Sequence, residues 1–162
     1  MQAADNLIKE FCQSIGMSQI GLDEENQRSL SFDEKMIVSF IGESGDKLTA
    51  LAYIGDIGKD ADMRVFLEQN FLPDAHGGAR FSLEPRSNRI VMSTKWDATR
   101  IDLPTFSKDV EGFVNSGMRA QEFLAGGGAG SMAAGAPEGA PSTEPSAPSS
   151  TPSSLEAYQN ML

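Results

Sequence analysis

The sequence contains one cysteine, one histidine and one tryptophan among its 162 residues. A single cysteine excludes an intramolecular disulfide. Cys12 lies on the apolar face of a predicted helix, where a free thiol behaves as a small hydrophobic group in a reducing compartment. One cysteine and one histidine cannot form a structural zinc site, and no acidic loop has the spacing of an EF-hand. We therefore expect a protein that uses no metal and no cofactor.

Long apolar runs and an excess of basic residues are also missing. No stretch of 18 apolar residues occurs, and residues 1–10 lack the basic start and apolar core of a signal peptide. The 13 lysines and arginines are outnumbered by 23 acids, which gives a net charge of -10. Such a charge repels nucleic acids and anionic membranes. These absences predict a cytoplasmic protein that binds neither.

Residues suited to catalysis are scarce. His76, the single histidine, lies in a glycine-rich loop with no evident nucleophile beside it, and Gly126–Gly128 lacks the lysine and spacing of a phosphate-binding loop. Acids brought together by the fold, with His76 nearby, could still form an enzyme site. We rank that hypothesis last and expect no enzymatic activity.

Helical spacing of apolar residues predicts three helices. The first spans Ala4–Ile15, and Gly16 follows at the position that favours a left-handed C-cap. The second is capped by Asp60 and Asp62 and ends before Pro73. The third is capped by Asp102 and carries the apolar stripe Phe106, Val110, Phe113, Gly117, Ala120 and Leu124.

Alternating apolar residues predict strands between these helices. The clearest runs are 29–32, 35–41 and 47–54, which short breaks join into an antiparallel meander, and a second hairpin covers 81–83 and 90–96. Residues 17–25 favour a short edge strand through Ile20 and Leu22. The middle strand of the meander is also apolar on its other face, at Ile37 and Ile41, so we expect both faces to be covered, in part by a partner.

The composition divides the chain in two. Residues 1–124 predict one α+β domain, large enough for a core without disulfides. Residues 125–162 are rich in Gly, Ala, Pro and Ser and predict a disordered tail. Near its end, Leu155, Tyr158 and Leu162 are spaced for one short amphipathic turn. The tail could dock on a partner or serve only to keep the protein in solution.

Four sequence pieces follow one another in a distinctive order over residues 7–124. They are Leu7-Ile8-Lys9-Glu10-Phe11 running into Ile15-Gly16, Leu30-Ser31-Phe32-Asp33-Glu34 before an alternating strand, Phe66-Leu67-Glu68-Gln69-Asn70, and Gly77-Gly78 before Phe81-Ser82-Leu83. In this order the chain resembles the class I type III secretion chaperones, the CesT/Tir chaperone family of small acidic bacterial proteins.

The resemblance implies an α-β-β-β-α-β-β-α protomer with a twisted antiparallel sheet flanked by helices, which forms a homodimer. Family members are not enzymes. They bind the non-globular N-terminal segment of a cognate effector in the bacterial cytoplasm and keep it soluble and competent for secretion, and the secretion-apparatus ATPase is a further implied partner. The alternative is a regulatory module of the same fold, unconnected to secretion, whose partner would be a folded cytoplasmic protein.

The resemblance also implies roles for particular residues, each of which could instead fill the core. The expected dimer contacts are Met63, Phe66, Leu67, Phe71, Phe81 and Leu83. The effector is expected to add a strand to a free sheet edge and to fill apolar grooves. The residues expected to line these surfaces are Leu7, Phe11, Ile20, Leu22, Leu30, Phe32, Met36 and Val38.

Overall fold

The computed structural model describes residues 2–58, 63–71 and 78–127. Its strands form one antiparallel sheet in the order β1-β2-β3-β5-β4, so β1 and β4 are the edge strands. This confirms the predicted α+β class, the meander and the second hairpin. The elements are α1 (Gln2–Ser14), β1 (Gln27–Phe32), β2 (Met36–Glu43), β3 (Lys47–Asp56), α2 (Met63–Gln69), β4 (Arg80–Glu84), β5 (Arg89–Asp97) and α3 (Leu103–Ala125).

The ends of α1 are fixed by hydrogen bonds to its free backbone groups. At the start, the Ala3 amide donates to Oδ1 of Asp46, in the turn between β2 and β3, at 2.8 Å. At the end, Gly16 has the left-handed φ of 78°, and the Met17 amide donates to the Cys12 carbonyl at 2.9 Å. This is the Schellman arrangement that the glycine predicts.

The prediction of a short strand over residues 17–25 is wrong. The Leu22 amide donates to Oδ1 of Asp5 in α1 at 2.9 Å, and Nε of Arg28 donates to the Gly21 carbonyl at 2.7 Å. The approach depends on glycine, because a Cβ at Gly21 would lie 2.0 Å from the Asp5 oxygen. Side chains thus bind the backbone groups that a neighbouring strand would have used.

An aromatic cluster holds α1 and α3 on the same face of the sheet. The ring of Phe106 in α3 lies 5.3 Å from Phe11 in α1, 6.2 Å from Phe40 in β2 and 5.0 Å from Trp96 in β5, measured between centroids. Nε1 of Trp96 also donates to Asp109 in α3 at 3.0 Å. Two helices and two strands therefore meet in one packed unit.

α3 begins and packs as its sequence predicts. The Asp102 side chain caps it by accepting from the Thr105 amide at 2.9 Å. Gly117 marks a close approach to the sheet, since a Cβ there would lie 2.3 Å from Cε of Met36 in β2.

The short helix α2 is joined to the other end of the sheet by Phe66. Its ring centroid lies 5.4 Å from that of Phe81 in β4 and 5.6 Å from that of Phe123 in α3. The predicted capping residues of α2, the loop with His76 and residues 128–162 of the predicted tail lie outside the described residues.

Candidate protein-binding site

An apolar groove lies between the end of α1, the end of β1 and the first half of α3. Its volume is about 400 Å³. It lies beside the aromatic cluster, since Phe11 belongs both to that cluster and to the groove wall. The groove is lined by Phe11, Ser14, Ile15, Phe32, Ser107, Val110, Glu111, Val114 and Asn115.

Ile15 is the most exposed apolar residue of this groove. It follows the last residue of α1, where the turn at Gly16 directs the chain away, and it is 45% exposed. Val110 and Val114, one turn apart on α3, form a buried floor beside it. An exposed isoleucine above a buried valine floor is suited to receive apolar side chains from another chain.

The edge strand β1 opens directly onto the groove. Among the strands that the structure describes, β1 pairs with β2 alone, through contacts such as Leu30 opposite Val38 and Phe32 opposite Met36. Phe32 is the last residue of β1 and also lines the groove. A strand added to the free side of β1 would place its next residues at the groove, so backbone pairing and side-chain binding could occur together.

The residues expected from the resemblance to line effector grooves separate into three groups. Phe11 and Phe32 line the groove. Ile20 is exposed and Leu22 half-buried, both in the segment attached to Asp5. The other four are buried in the core below the groove, and they are Leu7, Leu30, Met36 and Val38.

Sequence reasoning missed several groove residues. Val110 was predicted as part of the buried stripe of α3, and Ile15 as part of the apolar face of α1. Val114 was not part of that predicted stripe, but it directly follows the stripe residue Phe113 and is buried like it. One signal was available: Ile15 is the last apolar residue before the helix-ending Gly16, where a side chain has fewer helical neighbours to cover it.

A second exposed apolar surface lies along α2 and β4. Leu67 is 63% exposed, Phe71 83% exposed and Leu83 41% exposed. Met63 is half-buried at its border. The remaining expected dimer contacts, Phe66 and Phe81, are buried against each other.

Asn70 covers part of the free edge of β4 beside this surface. Its side-chain amide donates to the Phe81 carbonyl at 3.0 Å and accepts from the Phe81 amide at 2.7 Å. These are the two backbone groups that an added strand would use at this position. Asp23 makes the matching pair of contacts at the start of β1, where its side chain accepts from the Gln27 amide at 2.8 Å and its own amide donates to the Gln27 carbonyl at 2.9 Å. Each sheet edge is therefore covered at one position by a neighbouring residue, and an added strand on β1 would pair beyond Gln27.

The outer face of the sheet, opposite α1 and α3, is also partly apolar. Ile37 is 64% exposed and Tyr53 is 52% exposed on this face. A single chain leaves these two residues exposed, so the expectation that a partner covers part of this face stays a prediction.

Charged groups in the described residues form ion pairs and caps rather than a reactive cluster. The hydrogen bond from Lys47 holds the pKa of Asp97 well below its ordinary value, and the hydrogen bond from Lys9 lowers the pKa of Asp5. Burial raises the pKa of the Cys12 thiol. Among residues 2–58, 63–71 and 78–127, no three His, Cys, Asp or Glu side chains gather as metal ligands.

The helices in the part of the chain that the structure describes include none with the length and apolar character needed to cross a bilayer.

Comparison with known proteins gives one family and several similar structures. The sequence profile of the Tir chaperone protein (CesT) family matches residues 6–120. Among curated proteins, no significant match is found.

Three of the similar structures are complexes of two proteins. The ExsC-ExsE complex contains a chain with 20% identity and a TM-score of 0.62, and the alignment covers 76% of this chain and 94% of that one. The HopA1-SchA chaperone-effector complex gives 15% identity and a TM-score of 0.61, and the alignment covers 72% of this chain and 91% of the other. The Yersinia pestis type III secretion chaperone SycH, in complex with a stable fragment of YscM2, gives 15% identity and a TM-score of 0.61. That alignment covers 71% of this chain and 97% of the other. At these identities the likeness establishes a shared fold.

Proposed function

Because the chain belongs to the Tir chaperone protein (CesT) family, we propose that it is a non-enzymatic type III secretion chaperone. Its ligand is the non-globular N-terminal segment of a cognate effector, which it keeps soluble and competent for secretion in the bacterial cytoplasm. Handover of the effector to the secretion-apparatus ATPase, which the family resemblance implies, belongs to the same proposal.

The observation that carries the proposal is the junction of the edge strand β1 with the apolar groove at Phe32. An extended segment can pair its backbone with β1 and place alternate side chains toward Phe32 and Ile15. Such binding suits an extended, non-globular segment, because its backbone groups are not yet paired in a sheet. Two of the similar structures, HopA1-SchA and SycH with a YscM2 fragment, are complexes of a chaperone with another protein.

The second part of the proposal is a homodimer formed through α2 and β4. Leu67 and Phe71 are large, exposed and close in sequence, and Leu83 adds apolar area from the neighbouring strand. Water contact with such side chains is unfavourable by about 25 cal/mol for each Å² of apolar surface, which a second copy would remove. The dimer surface and the β1 groove use different strands, so one protomer can make both contacts.

The experiment is recovery of the tagged chain from its native cytoplasm, followed by limited proteolysis of the bound material. Mass spectrometry then identifies any segment that the chain protects. The proposal expects a protected N-terminal segment of a secreted protein, bound without nucleotide. Repeated recovery of intact, folded regulatory proteins with no protected segment would contradict it and favour a regulatory module.

A further inference from the structure

A second hollow continues the groove along α3. It has a volume of about 380 Å³. The groove uses α3 as far as Asn115, and the second hollow begins at Met118, on the same face of the helix. Together they follow α3 from Ser107 to Ala125, a distance of about 27 Å at 1.5 Å per residue.

The described chain leaves α3 at the far end of this second hollow. Ala125 is the last residue of α3 and one of the residues that line the hollow. Gly127 has a left-handed φ of 90°, and its amide donates to the Leu124 carbonyl at 3.1 Å. This turn ends the helix beside the hollow.

The sequence that follows has a spacer and an apolar end. Residues 128–154 contain Met132 as their single large apolar side chain. Leu155, Tyr158 and Leu162 then occur at the i, i+3 and i+7 spacing that forms one face of a helix. Apolar side chains at this spacing are the type that an apolar helix-binding groove accepts.

The length of the spacer suits the distance to be crossed. A flexible chain of about 28 residues has a root-mean-square span of about 30 Å. Along α3, Val110 lies about 22 Å from Ala125. A tether whose span matches the separation gives an effective concentration on the order of 1 mM. Even a weakly binding segment would therefore occupy the groove for much of the time.

We propose that residues 155–162 dock in the groove of their own chain and hold it until an effector segment displaces them. Leu155, Tyr158 and Leu162 then contact the exposed Ile15 and the partly buried Phe32, above the floor formed by Val110. The displacement by an effector rests on the proposed function, whereas the docking does not. If the segment binds with a dissociation constant of about 0.1 mM, an effective concentration of 1 mM weakens effector binding about tenfold.

The docking is tested in the full-length chain without any effector. A nitroxide attached through Asn160→Cys, on the opposite helix face from the three apolar residues, reports which methyl groups it approaches. Cys12 is buried, so the native chain treated with the reagent serves as the labelling control. The expected result is loss of the Val110 and Val114 methyl signals with little loss at Ile37 on the outer sheet face.

Substitutions in the segment establish whether its apolar residues cause this effect. In the variant Leu155→Ser/Tyr158→Ser/Leu162→Ser, signal loss at Val110 should fall to the level at Ile37. Met132→Ser in the spacer is the matched control and should change nothing. Equal loss at Val110 and Ile37 in the native sequence, or loss that survives the triple substitution, would overturn the proposal.

A mixed sample separates docking within one chain from docking onto a second copy. Here the nitroxide and the methyl labels are placed on different chains. Signal loss at Val110 in this mixed sample would assign the segment to the neighbouring protomer and overturn the intramolecular proposal, whereas no loss there is expected.

Effector affinity gives an independent readout. The triple serine variant should bind the effector segment about tenfold more tightly than the native chain. If neither chain bound an effector segment, the proposed function would fail while the nitroxide result would still decide the docking.

Discussion

Replacing Gly117 with alanine is expected to destabilise the protein, although alanine is the better helix former. Gly117 lies in α3, is buried and faces the sheet. An added Cβ would be 2.3 Å from Cε and 2.6 Å from Sδ of Met36, and 3.1 Å from Cε of Met92. Met36 and Met92 are both fully buried, so there is little free space into which they could move.

Two opposing contributions set the size of the effect. Exchange of glycine for alanine inside a helix stabilises it by about 1 kcal/mol. Overpacking of a well-packed core costs about 1–3 kcal/mol. Since two adjacent atoms of Met36 must move, we expect the upper part of that range and a net loss of about 1–2 kcal/mol.

Urea unfolding at one fixed protein concentration measures this loss. In a Met36→Ala background the two shortest contacts are removed and Met92 gains space to move, so Gly117→Ala should then be neutral or stabilising by up to about 1 kcal/mol. Stabilisation by Gly117→Ala in the native background would refute the close contact between α3 and β2.

Three further predictions test other parts of the structure. Asp5→Ala removes the acceptor of the Leu22 amide, so hydrogen exchange at that amide should accelerate and stability should fall by about 1 kcal/mol. The hydrogen bond from Lys47 lowers the pKa of Asp97 in the folded protein. The ionised carboxylate therefore stabilises the fold at any pH above its ordinary pKa near 4, and this stabilisation is lost as the pH falls below that value. Asp97→Asn should reduce the slope of unfolding free energy against pH in this acid range. Leu67→Ser should shift the proposed dimer toward monomer in light scattering.

Each of these predictions has its own control. Glu10→Ala, an exposed acid on the same helix as Asp5, should leave the Leu22 amide unchanged. An unchanged acid slope in Asp97→Asn would show that the ion pair does not contribute. Ile37→Ser replaces an equally exposed residue outside the α2 and β4 surface, and dimer loss in that variant alone would assign the interface to the outer sheet face.

Local sequence patterns were sufficient for most helices and strands. The apolar spacing of α1 and α3 and the alternation in β2 and β3 arise from which face each element buries. Pairing of β3 with β5 was not predicted, because neighbours in a sheet need not be neighbours in sequence. Local patterns show which side of a strand is buried but not which strand lies beside it.

The segment with Ile20 and Leu22 shows where alternation fails. Its residues alternate as in a strand, yet the Asp5 side chain binds its backbone. This contact joins positions 17 residues apart and depends on the missing side chain of Gly21. No local pattern contains that information.

The groove was only partly predictable for a related reason. Phe11 and Phe32 were expected at a binding surface and line the groove, whereas Met36 and Val38 were expected there and are fully buried. All four residues are apolar, and both a buried core and a protein-binding groove require apolar side chains. Which of them reach the surface depends on how α1 and α3 pack on the sheet, and contacts such as that between Phe11 and Phe106 join positions far apart in sequence.

The most direct test of the chaperone proposal is the affinity of the protein for the effector segment recovered from its native cytoplasm. Ile15→Ser alters the groove, and Ile37→Ser makes the same exchange on the outer sheet face. Both isoleucines are exposed, so neither exchange should unfold the domain. We predict that Ile15→Ser weakens binding about tenfold, the size expected for an interface residue worth about 1.4 kcal/mol, and that Ile37→Ser leaves it unchanged. Equal affinity in the native chain and Ile15→Ser, or a loss confined to Ile37→Ser, would contradict the assignment of the effector site to this groove.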